Sequence, residues 1–280
     1  MESLAEPDTH FYIDYAPPEK VWEALQCLSV DRPMSPAEIF DTLESQGKDV
    51  SRRTEIPRRL FDLGLATQVS QENGMAYALT KLGQKVREIN SFEPRLYPDL
   101  MHFLHFSSWD GTPEARKFLW SYRECSKISW AEARLLPTKQ LASRVQSRMI
   151  VEFPDLDYAA AVGARFDSTA AGRWARWVQS SRPPPFGRNS GVLQKREVEC
   201  HEIILLALDD VYRSRDYRYG DPVILDEEVL DDLARVFFLD PLCCRELLDL
   251  AAAVTKAVTL SDTFAGTSVT LLRPYTIESI

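Results

Sequence analysis

Glycine is scarce in this 280-residue chain, 11 in all, and it never falls into a phosphate-cradling pattern. Gly-x-x-x-x-Gly-Lys, Gly-x-Gly-x-x-Gly and Gly-x-Ser-x-Gly are all absent, and no paired nuclease carboxylate motif appears, so an enzyme reading has little sequence support. Cysteine is also sparse: Cys27, Cys125, Cys200, Cys243 and Cys244 are odd in number and form no C-x-x-C pair. That excludes a disulfide framework or a zinc ribbon and leaves reduced, buried thiols as the expectation. No run of eighteen apolar residues exists, and the first twenty residues lack a basic stretch followed by an apolar one. A cytoplasmic protein without signal peptide or membrane span is therefore expected.

What is present suits a folded chain: 45% apolar and 27% charged residues, enough to build two or three small cores. The net charge of −9 is unevenly spread. Residues 139–196 hold 10 basic and 4 acidic residues, whereas residues 197–280 hold 7 basic and 17 acidic ones. A polyanion would meet the middle of such a chain, and the acidic end would face solvent, a protein or a cation.

Along the chain, "APPEKVWEALQCLSV" reads as a helix entered through Pro17 and Pro18, with Val21, Leu25 and Leu28 on one stripe. In "RPMSPAEIFDTLESQG", Ser35 is a helix N-cap, Pro36 takes the first helical position and Gly47 ends the helix. "SRRTEIPRRLFDLGLA" is a third helix. Pro57 donates no backbone hydrogen bond and must lie in the first turn, so the start moves to about Thr54. Ile56, Leu60 and Leu63 then face a core, Arg58 points away with Asp62 four residues on, and Arg59 flanks the stripe. Asn73-Gly74 marks a hairpin turn between Val69 and Tyr77, and "KLGQKVREINSF" returns to helical spacing.

Three helices, a hairpin and a helix, with "RRLFDLGLA" running into the first wing strand and "YALTKLGQKV" leaving the hairpin, resemble the winged helix-turn-helix superfamily over residues 17–92. The resemblance implies DNA contact through the third helix, although winged helices also serve as protein-binding modules. The wider order is similar to uncharacterised bacterial proteins encoded near DNA-modification and phage-defence genes, on motifs such as "YALTKLG" and "LYPDLMHFLHF". No functional residue is carried across from them.

Residues 93–138 read as two aromatic-rich helices broken at "WDGTP". From Pro137 a degenerate helix-turn-helix is expected, its last helix opened by Asp167 or Ser168 and carrying Trp174, Trp177 and Val178 on one face. "RPPPFGRNSG" follows as an extended basic linker. The acidic end repeats the winged-helix order: a long buried helix "EVECHEIILLALDDVY", a short extended piece and a helix in "PVILDEEVLDDLARVFFL", a helix capped by Asp240-Pro241, and a hairpin around Ala265-Gly266.

The fold class is thus mainly α with short β-hairpin wings, in tandem winged-helix-like domains. The expected boundaries are 1–92, 93–138, 139–196 and 197–280. Nucleic-acid contacts, with double-stranded DNA first, are expected at Arg52, Arg53, Arg58 and Arg59 near the third helix. A denser set, Arg165, Arg173, Arg176, Arg182, Arg188, Lys195 and Arg196, suits phosphate tracking. The tryptophans interleaved with it could stack bases, but their i, i+3 spacing suits core anchors better.

Other constellations have plainer readings. His102-x-x-His105 has metal spacing but no third ligand, and its aromatic neighbours suggest buried imidazoles. Cys200-His201-Glu202 places neighbours on different helix faces, as a core cysteine would be. Asp226, Glu227 and Glu228 crowd a helix first turn, where negative charge is favoured without a metal. No cofactor and no metal is expected. The functional expectation is a non-enzymatic nucleic-acid-binding protein, either a recognition or adaptor subunit of a DNA-modification or phage-defence system or a transcriptional regulator, with a protein partner on its acidic end. The alternative is a scaffold whose winged helices bind partner subunits without touching DNA, which the negative net charge favours. A nuclease with carboxylates assembled from distant segments forms a third class.

Overall fold

The computed structural model describes residues 10–48, 50, 54–72, 74–112, 116–156, 166–264 and 266–280. These are mainly helical, with two small antiparallel sheets of two and three strands. The chain divides into two compact units, residues 1–180 and 181–280. The boundaries expected after residues 92 and 138 fall inside the first unit, and the one expected after residue 196 falls inside the second.

The first unit opens with α1 (Pro18–Cys27), whose Val21, Ala24 and Leu25 are buried, and α2 (Pro36–Ser45). A capping box starts α2: Ser35 Oγ accepts from the Glu38 amide while Glu38 Oε2 accepts from the Ser35 amide at 2.8 Å. Gly47 ends it with a φ of +72°, which lets the Lys48 amide turn back to the Leu43 carbonyl. Next come α3 (Glu55–Asp62) and the hairpin of β1 (Ala66–Gln71) and β2 (Gly74–Leu79), in register from Ala66↔Leu79 to Gln71↔Gly74. Asn73, half of the expected turn pair, lies outside the described residues. Met34 joins this hairpin from the loop between α1 and α2, exchanging both backbone hydrogen bonds with Tyr77 at 2.8 and 2.9 Å. Thr80 then caps α4 (Lys81–Phe92), accepting from the Gly83 amide and donating to the Gly64 carbonyl.

The same unit continues with α5 (Tyr97–Ser107), α6 (Lys117–Ala131), α7 (Thr138–Glu152) and α8 (Ser168–Val178). Every residue of α5 except Pro98 is buried, because α4, α6 and α8 all pack on it. Asp167 caps α8 through the amides of Thr169 and Ala170. Trp174, Trp177 and Val178 all face the core, so the tryptophans anchor this unit and offer no stacking surface of their own.

The second unit contains α9 (His201–Ser214), β3 (Val223–Ile224), α10 (Glu227–Phe237), α11 (Pro241–Val254), β4 (Val258–Thr263), β5 (Gly266–Leu271) and a closing 3-10 turn at Ile277–Ser279. Ile203 through Tyr212 are buried along α9, and Asp226 and Asp240 cap the next two helices through backbone amides. The sheet order is β3-β5-β4. The short strand between the first two helices therefore pairs with the returning strand of the hairpin, as Met34 pairs with Tyr77 in the first unit. Helix, short extended pairing, two helices and hairpin occur once in each unit.

One segment departs from expectation. "RPPPFGRNSG" is no extended linker: Phe186 is fully buried edge-on to Phe238, with ring centroids 5.3 Å apart, and pairs with Leu193 across a short loop. The Gly187 amide closes that loop on the Val192 carbonyl at 3.0 Å. An aromatic ring among the prolines supplies the anchor that composition alone concealed.

Candidate nucleic-acid interface

Thr54 occupies the N-cap position of α3, and Pro57 lies in the first turn, where its missing amide costs nothing. Ile56, Leu60 and Leu63 face the core as their spacing requires. Arg52 and Arg53 lie outside the described residues. Arg58 is exposed, its Nε 3.9 Å from Asp62.

Arg59 corrects the sequence expectation. It is only 1% exposed, and its guanidinium lies 3.9 Å from the centroid of the Phe118 ring. Arg116, just before α6, reaches Asp62 at 3.5 Å and lies over the Phe61 ring. A flank that helical periodicity leaves open is thus filled from α6, where a cation on an aromatic face replaces water. Burial lowers the Arg59 pKa, opposed by the neighbouring Asp62 carboxylate, and burial also raises Asp62. Along α3 and its cap, only Thr54 and Arg58 are exposed.

The denser basic set is also thinned by contacts within the chain. Arg165 lies outside the described residues. Arg173 donates to the Ile13 carbonyl at 3.0 Å and spreads over the rings of Tyr12 and Tyr15. Arg176 is bonded to Glu19 at the start of α1. These two arginines dock α8 onto the segment before α1 and onto the first turn of α1, across some 160 residues of sequence. Arg196 is the second correction: it is buried, donating to the Phe237 carbonyl at 3.1 Å and the Arg182 carbonyl at 3.2 Å. Its backbone bridges Leu239. A side chain expected to track phosphates instead satisfies buried carbonyls.

Arg182, Arg188 and Lys195 remain exposed. All three lie in residues 181–196, which contain no acidic residue. The buried Phe186 and Arg196 hold this loop in place, so its cations sit on an ordered support.

Two features escaped the sequence. An open cleft of about 380 Å³ lies between residues 15–17 and α8, walled by Tyr15, Pro17 and Trp177, with Gly172, Arg173 and Arg176 beside them. Nothing in the letters joins Tyr15 to Trp177. The other feature is the outer face of α11, which holds in the second unit the place that α3 holds in the first. Its i, i+4 row is Leu242 (75% exposed), Glu246, Leu250 and Val254, all exposed, with exposed Asp249 alongside.

The remaining constellations make contacts within the chain. His102 and His105 are buried. His102 Nδ1 lies 2.9 Å from the Tyr122 hydroxyl, and His105 Nδ1 donates to the Met101 carbonyl at 2.7 Å. Burial drives the His105 pKa well below its ordinary value, helped by the Arg59 charge. The Cys200 thiol donates to Glu202 at 2.8 Å; burial and that hydrogen bond push it up to about 12, so it stays protonated. Asp226 caps α10, and Arg215 bridges Glu228 and Asp232. Among the described residues, no three histidine, cysteine or acidic side chains are grouped to hold a metal.

No family model and no curated relative matches this chain. Among solved structures, one described as an SspB crystal structure is similar over 98% of this chain and 84% of its own, with a TM-score of 0.61 and 14% identity. A magnesium ion-bound SspB crystal structure is similar over 97% of this chain and 83% of its own, with a TM-score of 0.59 and 15% identity. At these identities the likeness is one of fold, and it extends over nearly the whole chain.

Proposed function

We propose that the chain is a non-enzymatic nucleic-acid-binding adaptor built on two winged helices, contacting phosphates mainly through the loop at residues 181–196. The observation that carries this reading is the loop itself: Arg182, Arg188 and Lys195 are exposed on a firmly anchored segment without one carboxylate. Arg58 adds a cation on the first winged helix. The shared order of helices, short pairing and hairpin in the two units supports the winged-helix assignment, as does β3-β5-β4 with its counterpart at Met34 and Tyr77. The similarity in element order to bacterial proteins encoded beside DNA-modification and phage-defence genes favours a place in such a system over a free-standing regulator.

The test is duplex affinity across a salt series for the intact chain and for the combined change Arg182→Ala, Arg188→Ala and Lys195→Ala. If each cation neutralises one phosphate, the slope of log affinity against log salt falls by about 0.9 for each, or about 2.7 for the three. An unchanged slope overturns the loop assignment, and no duplex binding at low salt overturns the nucleic-acid reading.

The outer face of α11 favours a second reading. Leu242, Leu250 and Val254 with Glu246 and Asp249 suit a protein partner better than a phosphate backbone. The scaffold reading predicts a subunit that co-purifies with the native chain and is lost on Leu242→Glu with Leu250→Glu, while duplex binding is absent throughout.

A further inference from the structure

We propose that the outer face of α11 docks on the outer face of α7 of a second copy of this chain. This pairing rests on the reading of the α11 face as a protein-binding surface, and it identifies the partner. The two faces match in apolar content, length and charge.

Five of the twelve large apolar side chains that are exposed among the described residues lie on these two helices. On α7, Ile150 (60% exposed) and Val151 (80%) occupy the solvent side, because Leu141, Val145 and Met149 turn the opposite side into the core. Ser143 and Ser147 precede them in the i, i+3 and i, i+4 rows, and these short side chains leave the apolar pair unscreened. Beside this row lies an open cleft of about 310 Å³, with Ala131 and Glu132 on one side and Arg144, Ser147 and Arg148 on the other. It offers a seat for a projecting leucine such as Leu242.

The charges are opposite. The cations of α7 are Lys139, Arg144 and Arg148, against Glu152 alone. Arg144 is paired with Glu132 and Arg148 with Glu124, yet the guanidiniums are 47% and 57% exposed and the carboxylates 32% and 4%, so the cation is the outer member of each pair. On α11, Glu246 and Asp249 stand among the apolar side chains. The one cation of that helix, Arg245, is turned to the hairpin, where it donates to the Thr267 hydroxyl. The helices are 15 and 14 residues long, or about 21–23 Å at the usual rise, so their faces can lie side by side along their whole length. Pairing either face with its own copy sets like charges together; only the unlike pairing brings carboxylates to guanidiniums. A single pair of helices is small for a specific interface, so the association is weak and depends on concentration.

The experiment is sedimentation velocity on the full chain, freed of nucleic acid, over a concentration series at low and high salt. It is repeated on Leu242→Glu with Leu250→Glu, on Ile150→Glu with Val151→Glu, and on an equimolar mixture of these two variants. A third variant, Glu246→Gln with Asp249→Asn, keeps every apolar side chain. All of these positions are exposed, and circular dichroism verifies the folds. The expected result is a native mass that rises with concentration, less so at high salt. Each glutamate variant weakens the association by about tenfold or more, and the third variant weakens it and removes its salt dependence. The mixture recovers association, because one intact α11 face still meets one intact α7 face. A native mass that stops at the dimer assigns a two-fold pairing, and one that continues assigns a ring or filament; either supports the proposal. A native chain that is monomeric at every concentration overturns it, as does a mixture that stays monomeric or an association unaffected by either glutamate variant. If the native chain is monomeric while a different subunit co-purifies and is lost on Leu242→Glu with Leu250→Glu, the protein-binding reading of α11 stands and the second copy alone is refuted.

Discussion

Folding stability should fall on mild acidification because of one buried ring. His105 is completely buried, stacked on Tyr122 at 4.6 Å and in contact with Trp177 at the same centroid distance, with Arg59 and His102 as its charged or chargeable neighbours. Its Nδ1 donates to the Met101 carbonyl, and Nε2 has no hydrogen-bond partner. Charging this ring would place a second cation near Arg59 without water, and its pKa is accordingly lowered well below the ordinary 6.5. A histidine with a depressed folded value binds fewer protons in the native state than in the unfolded chain. Its stability contribution is therefore complete above the unfolded value and is lost as pH falls through it. If the folded ring stays neutral throughout, the unfolded state gains about 1.4 kcal/mol, tenfold in the folding equilibrium, between about pH 7.5 and about pH 5.5.

The perturbation is His105→Phe, which keeps an aromatic ring in the stack and removes the titration. Urea unfolding of both proteins at the two pH values gives a double difference in which the fixed effect of the substitution cancels. The native protein should lose about 1.4 kcal/mol more than the variant over this window. A double difference below about 0.3 kcal/mol, or one of opposite sign, would show that the ring is hydrated or charged in the folded state and would refute the reasoning.

Further outcomes test other contacts. The paired change Arg59→Met with Asp62→Asn should alter stability by less than about 1 kcal/mol or raise it, because removing both charges removes their desolvation cost and keeps the packing on Phe118; thermal unfolding measures this. Arg196→Ala, by contrast, strands the Phe237 and Arg182 carbonyls and should cost about 2–3 kcal/mol, whereas Arg188→Ala on the same loop should be nearly neutral. Gly83→Ala should destabilise by about 1–3 kcal/mol or more, since its Cβ would fall 2.1 Å from the Leu65 carbonyl oxygen and backbone must shift; the urea midpoint reports it.

Much of the fold was legible because it is written in local chemistry. Ser35 with Glu38, Pro36 and Gly47 bracket α2; Asp240-Pro241 opens α11; and Gly74 and Gly266 each sit at a hairpin with a φ of +121°. Pro57 set the start of α3 for a reason internal to one turn of helix. The candidate site was less legible. Helical periodicity placed Arg59 beside the buried stripe but could not say that Phe118, 59 residues later, would cover it. Composition marked residues 182–196 as basic and proline-rich, yet nothing local distinguished the anchoring Arg196 from the exposed Arg188. Arg173 and Arg176 counted as free charge until the segment at Ile13, Tyr15 and Glu19 was brought beneath them.

The sequence by itself determined where helices begin and end, which positions turn, and that charge is divided between a basic middle and an acidic end. Caps, prolines, glycines and a 3.6-residue period act within a few residues of one another, and letters are sufficient to express that. Only the tertiary structure decided which cations meet solvent. Burial and ion pairing depend on what arrives from elsewhere in the chain, and a guanidinium serves a backbone carbonyl, an aromatic face or a phosphate equally well until one of them is placed beside it.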